Sequence, residues 1–184
     1  MIVNSHNDWD PLEEIIVGHA HHSRIATDIS ARSFSYANFP KEDVEKLEGT
    51  YPQWVIDEAN EDADGLAKAL EDLGVIVHRP KIIDWDKKNY DIGQGWNTKG
   101  WYSWCPRDLI LPLGDMLIET PTPVRARYFE TRLYEDIMYE AFEDGALWMS
   151  APKPKLHDDM YTFEDIENKP TLLDHEICFD APNI

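Results

Sequence analysis

Positive charge is scarce in this chain: 17 Lys and Arg stand against 36 Asp and Glu, a formal charge of −19 over 184 residues. Such a surface repels phosphate backbones and anionic lipid, so neither nucleic acid nor a membrane surface is expected as a partner. It would attract a cationic ligand, although an acidic surface kept soluble by repulsion accounts for the charge equally well. Cysteine is nearly absent. Cys105 and Cys178 lie far apart and form no metal-type pair, which excludes a disulfide framework and leads us to expect a reduced, cytoplasmic protein. No apolar run approaches the ~20 residues that span a bilayer. The N-terminal "MIVNSHNDWDPLEE" has no basic region followed by an apolar core, so no signal peptide is expected. A glycine-rich phosphate loop and a Ser-His-Asp order are also missing.

What the chain does have is a core: 42% hydrophobic and 11% aromatic residues with seven tryptophans, enough for one folded domain. "EEIIVGHA" (Glu13 to Ala20) reads as a strand ended by Gly18. Residues 21–50 are polar and mixed, and read as a long functional or capping loop. Pro52 opens a helix whose apolar positions Val55, Ala59, Ala63, Leu66, Ala67, Leu70 and Leu73 recur at helical spacing, with Gly74 as C-cap. "VIVHRP" follows as a strand, and residues 81–100 as another loop. "DLILPL" and "MLIET" read as two strands joined at Gly114-Asp115, with Pro112 marking an edge strand or bulge. A second helix is expected from about Val124 to Asp144, with Phe129, Leu133, Ile137, Met138, Ala141 and Phe142 buried. "ALWMSAP" is a further strand. The predicted organisation is one α/β domain over 1–184: a looser module at about 13–80, a clear strand-strand-helix-strand module at about 108–152, and a tail at 153–184 holding one short strand in "HEICF".

Three groups of residues could carry chemistry. Asp108 follows Pro106 and Arg107 where loop becomes strand, a usual place for a binding carboxylate, and could take a guanidinium by a planar two-point contact. Pairing with Arg107, Arg125 or Arg127 for structural reasons is the commoner use of such a residue. Cys105 would need a base and a lowered pKa to act as a nucleophile, and neither Trp104 nor Pro106 supplies one. "HAHH" (His19, His21, His22), even with "LHDD" (His157 to Asp159), fits no strong ligand spacing, so no metal is expected. The tryptophans of "GWNTKGWYSW" could form a stacking platform, with loop packing the commoner use.

Five segments in order say more. "HNDWDPLEEIIVG" (His6 to Gly18), "YSWCPRDLILPLGDMLIETP" (Tyr102 to Pro121), "RARYFETRLY" (Arg125 to Tyr134), "APKPKLHDDMY" (Ala151 to Tyr161) and "CFDAPN" (Cys178 to Asn183) together resemble the amidinotransferases, which include arginine:glycine amidinotransferase and the inosamine-phosphate amidinotransferases. The resemblance implies the amino-terminal half of a five-bladed α/β propeller (pentein-type) of strand-strand-helix-strand modules. It also implies a reaction that needs no cofactor or metal. A cysteine thiolate takes the amidino group of L-arginine and passes it to an acceptor amine such as glycine or an aminocyclitol phosphate. Asp108 matches a substrate-binding aspartate, and Asp180 the aspartate that works with the catalytic histidine.

The family's histidine and nucleophilic cysteine segments are expected to be absent, since the chain ends at Ile184. Amidino transfer by the chain alone is therefore not expected. The expected partners are arginine and an amine acceptor if the fold is completed, a complementary C-terminal half, or a second copy. A non-catalytic guanidinium- or partner-binding module, and a fragment of an arginine deiminase-type hydrolase, are the alternative readings.

Overall fold

Two parallel strand–helix–strand crossovers organise the chain. The computed structural model describes residues 3–7, 9–36, 38–161 and 175–183. The first half runs β1 (Glu14–Ile16), β2 (Arg24–Ile25), α1 (Ile29–Ser35), α2 (Lys41–Glu45), β3 (Gly49–Thr50), α3 (Gln53–Asp72) and β4 (Ile76–His78). The second runs β5 (Tyr90–Asp91), β6 (Asn97–Thr98), β7 (Ile110–Leu113), β8 (Met116–Glu119), α4 (Glu135–Glu143) and β9 (Leu147–Ser150). β1 pairs with β4 in parallel across α3, and β8 with β9 in parallel across α4. The antiparallel β7–β8 hairpin turns at Gly114, whose φ of 61° suits a residue without a Cβ. With β2–β3 and β5–β6, the described residues form four small sheets and no closed barrel. The α/β class and the strand-strand-helix-strand module at β7-β8-α4-β9 are thus as expected, and Pro112 sits on the edge strand of its sheet. Among the described residues no helix is long and apolar enough to cross a membrane.

Several expectations need correction. Residues 21–50 are not one loop but hold α1, α2 and the β2–β3 pair; Asp28 starts α1 by accepting from the backbone N–H of Ser30 and Ala31. In α3, Ala67 is buried and Val55, Ala59, Ala63 and Leu70 are half-buried as expected, but Ile56 and Asn60 are buried as well, while Leu66 and Leu73 face solvent. The second helix begins only at Glu135. Before it, Arg125–Arg127 and Glu130–Leu133 form two short 3-10 turns. Within α4, Phe142 is exposed although Ile137, Met138 and Ala141 are buried. "HEICF" is no strand. Its Glu176 carboxylate instead accepts from the backbone N–H groups of Lys155, Leu156 and His157.

The main core lies between α4 and the β7-β8-β9 sheet, where Ile110, Leu117, Leu133, Met138 and Ala141 enclose Trp85. Gly18 joins this frame to the functional region. A Cβ there would stand 2.3 Å from Ser103 O and 2.5 Å from Trp104 Cα, so only glycine lets the end of β1 lie flat on segment 101–105. Ser103 is then held from two sides: its Oγ donates to His19 O (3.0 Å), and Tyr134 Oη donates to Ser103 O (3.2 Å). That segment leads directly into Asp108.

Candidate functional site

Pro106 sets the backbone of a single 3-10 turn, Pro106–Asp108, in which Asp108 N donates to Cys105 O (3.2 Å). Thr120, just past β8, donates its hydroxyl to Asp108 O (2.9 Å), so the end of the hairpin fixes the aspartate. The Asp108 side chain meets Arg127, whose Nη1 donates to Oδ2 at 2.6 Å. Of the three arginines offered as structural partners, Arg127 is the one that takes it. Arg127 and Glu130 form a two-point pair: Nε to Oε2 at 2.7 Å and Nη2 to Oε1 at 3.0 Å. Nη2 also donates to Cys105 O (3.2 Å), and the guanidinium lies 4.8 Å from the centre of the Tyr102 ring.

This pair is enclosed, with Arg127 3% and Glu130 1% exposed. Burial works against the charge of Arg127, but Glu130, Tyr102 and Asp108 outweigh it and hold the guanidinium above its ordinary value. Burial pushes Glu130 up to about 7, with Arg127 pulling the other way. Asp180 is brought to the same place: the turn Ala181–Asn183 packs on Pro106–Asp108, and its charge acts on both Asp108 and Glu130. Burial raises its carboxyl too, Arg127 and Thr122 lower it, and Oδ1 has no hydrogen-bond partner among the described residues. The structure therefore unites Asp108 and Asp180, which lie 72 positions apart in sequence. Two carboxylates, Asp108 and Glu130, pair with one guanidinium, Asp180 lies near enough for its charge to be felt, and the cluster lacks positive charge. Arg127 is legible in the sequence as a structural partner of Asp108, but Glu130 only as part of a motif. The available signal was two opposite charges at i, i+3 flanking the apolar pair Tyr128-Phe129.

Both thiols are unsuited to nucleophilic attack. Burial, with Asp108 beside it, pushes Cys105 up to about 11, and burial, with Glu176 and Asp180, pushes Cys178 up to about 12. The histidines of "HAHH" go to different partners. His19 is buried against Ser103, His21 contacts Asn60, and His22 faces Asp84 at 3.8 Å. Among the described residues no group of three or more His, Cys, Asp or Glu could hold a metal ion. The tryptophans mostly pack: Trp96 donates to Lys155 O (2.7 Å), Trp101 is buried, and Trp104 stacks on Tyr102. A polar cleft of about 260 Å³ beside Arg24, Asp28, Glu48 and Lys99 shares no residue with the aspartate cluster.

The His19 clamp has a pH signature. Burial pushes its imidazole down to about 4 from the 6.5 of an exposed histidine. The unfolded chain therefore binds this proton first, and the contribution of neutral His19 is lost as pH falls from about 6.5 towards 4. The stability advantage of the natural chain over His19→Gln should shrink by about 2 kcal/mol between pH 7 and pH 4.5. Urea unfolding at the two pH values measures this, and an unchanged difference refutes it.

The inosamine-phosphate amidinotransferase 1 of Streptomyces griseus is 40% identical over 186 residues, covering 100% of this chain and 52% of its own. The mitochondrial glycine amidinotransferase of Xenopus laevis is 35% identical over 196 residues, covering 97% of this chain and 45% of its own. In structure, the S. griseus inosamine-phosphate amidinotransferase superposes with a TM-score of 0.88 at 38% identity, over 98% of this chain and 51% of that one. Over its whole length this chain is similar to amidinotransferases. An amidinotransferase of the saxitoxin biosynthetic pathway in Microseira wollei gives a TM-score of 0.83 at 33% identity, over 97% of this chain and 53% of that one. No family model matches. The chain spans about half the length of the curated relatives it matches.

Proposed function

We propose that this chain is the amino-terminal half of an arginine-dependent amidinotransferase fold, and that its aspartate cluster binds the guanidinium of L-arginine. The observation that carries the reading is that the turn after Asp180 packs on the turn carrying Asp108, whose carboxylate already pairs with Arg127, while Asp180 Oδ1 is unpartnered among the described residues. A second guanidinium would supply the missing charge and donors to these carboxylates. The crossovers β1-α3-β4 and β8-α4-β9 would be two blades of the five-bladed family fold.

In the complete fold, a cysteine thiolate adds to the guanidino carbon, the C–N bond to ornithine breaks, and a histidine supplies the proton to the leaving amine. The amidino group then passes from sulfur to an acceptor amine, and the thiolate is regenerated. Asp180 would orient that histidine. The acceptor is glycine or an aminocyclitol phosphate, the two classes named in its relatives. A cytoplasmic setting fits the free thiols Cys105 and Cys178.

Among the described residues neither thiol is activated, so this chain alone should hold arginine without transferring its amidino group. Incubation of the purified chain with L-arginine and glycine should release no ornithine. Sustained ornithine release would overturn the reading.

A further inference from the structure

One 3-10 turn, Arg125–Arg127, serves both aspartates of the cluster. Arg127 pairs with Asp108 directly, at 2.6 Å. Arg125 is equally enclosed, at 5% exposed, but takes a different target. Its Nε donates to Leu156 O at 2.9 Å, its Nη2 donates to the same oxygen, and Nη2 also reaches Asp158 Oδ1 at 2.7 Å. The rings of Trp96 and Tyr161 both pack on the guanidinium, each with its centre 5.4 Å away.

Leu156 is thereby fixed in an unusual state. It is fully buried, and its φ of 55° lies in the left-handed region that a residue with a Cβ adopts only under constraint. The turn this makes brings three successive N–H groups, of Lys155, Leu156 and His157, onto the one carboxylate of Glu176; the bonds from Leu156 and His157 are 3.2 and 3.3 Å. Consecutive backbone N–H groups that converge in this way form a seat for an anion.

Glu176 lies four residues before Asp180. Segment 176–180 contains no helix or strand, so no backbone ladder holds it. Besides the Glu176 seat, it is tied down by Phe179 N, which donates to Pro121 O at 3.1 Å, and by a hydrogen bond from Thr122 to the Asp180 side chain. Cys178 packs on the cluster that holds Leu156 and Tyr161, while Ile177 is 69% exposed. Four residues span at most about 14 Å even when fully extended, so the seat limits where Asp180 can stand.

We infer that Glu176 is the positioning residue of Asp180: its carboxylate, held in the backbone seat that Arg125 and Leu156 shape, sets Asp180 beside Asp108. The consequence for arginine rests on the guanidinium site proposed above. Glu176 acts there through Asp180 and not by contact with the ligand.

Two measurements separate the positioning from the ligand. Amide hydrogen exchange, read by NMR on the chain without arginine, reports the placement itself. Glu176→Ala should speed exchange at the Phe179 N–H about tenfold or more and leave β7 and β8 as they are. Glu176→Gln keeps an oxygen for Lys155 and Leu156 and should speed it less; Ile177→Ala should not change it. Unchanged Phe179 exchange in Glu176→Ala overturns the inference. So does equal acceleration in β7 and β8, which would mark a general loss of stability. Calorimetric titration of L-arginine is the second measurement. Glu176→Ala should weaken binding about tenfold, and Glu176→Gln by less. In the Asp180→Asn background Glu176→Ala should cost nothing further, because its route to the ligand is already gone. The same loss in both backgrounds, or the same loss for Gln and Ala, would mean that Glu176 acts by its own charge, which also overturns the inference. If Phe179 exchange responds as expected but the natural chain binds no arginine, the positioning of Asp180 stands and the guanidinium reading falls.

Discussion

Arg127→Ala should cost about 3–5 kcal/mol of stability, because it strands Glu130 as a buried carboxylate without its counter-charge. Glu130 is 1% exposed, and Arg127 donates to both of its carboxylate oxygens. The same truncation removes the 2.6 Å contact to Asp108 and the donor to Cys105 O, so the turn carrying Asp108 loses its support. Against a typical total of about 5–15 kcal/mol, this is a large share. The cause is an unpaired charge rather than a lost attraction, so removing both partners should hurt less than removing one. Arg127→Met with Glu130→Leu is therefore expected to be more stable than Arg127→Ala alone. Urea unfolding decides the matter. A single variant within about 1 kcal/mol of the natural chain would show that the pair is not the keystone described here.

The same cluster shows why some of the fold was legible in sequence and some was not. Strands β7, β8 and β9 declare themselves by short apolar runs bounded by glycine, and the turn at Gly114 needs only local chemistry. The helix expected from Val124 failed because apolar spacing continues through Phe129 and Leu133 while the backbone does not. There one charged partner of Arg127, Asp108, lies across the fold, and two 3-10 turns aim the guanidinium at it and at Glu130 together. The inner face of α3 also holds a residue that apolar spacing does not mark. Asn60 is buried on its inner face because its Oδ1 accepts from Ala20 N at 2.8 Å, and a count of apolar residues cannot see a polar side chain that a distant N–H draws inward. Asp108 stands out by its place where loop becomes strand, Asp180 only through the resemblance, and neither through their spacing. Their meeting in the fold is a tertiary fact, and Glu130, the most enclosed member, carried only a weak local signal.

Binding of arginine is the central claim, and the aspartates make its expected effect large. A charged hydrogen bond lost from a partly buried site costs about 1.5–3 kcal/mol, or roughly tenfold to a hundredfold in affinity. Asp108→Asn keeps an oxygen to accept from Arg127 while removing the charge offered to a ligand, and Asp180→Asn removes the charge of the partly buried carboxylate. Calorimetric titration of L-arginine into the purified chain and these two variants is the most direct measurement. The account predicts saturable binding to the natural chain, weakened about tenfold or more by each substitution. No binding by the natural chain, or equal binding by all three, would contradict it.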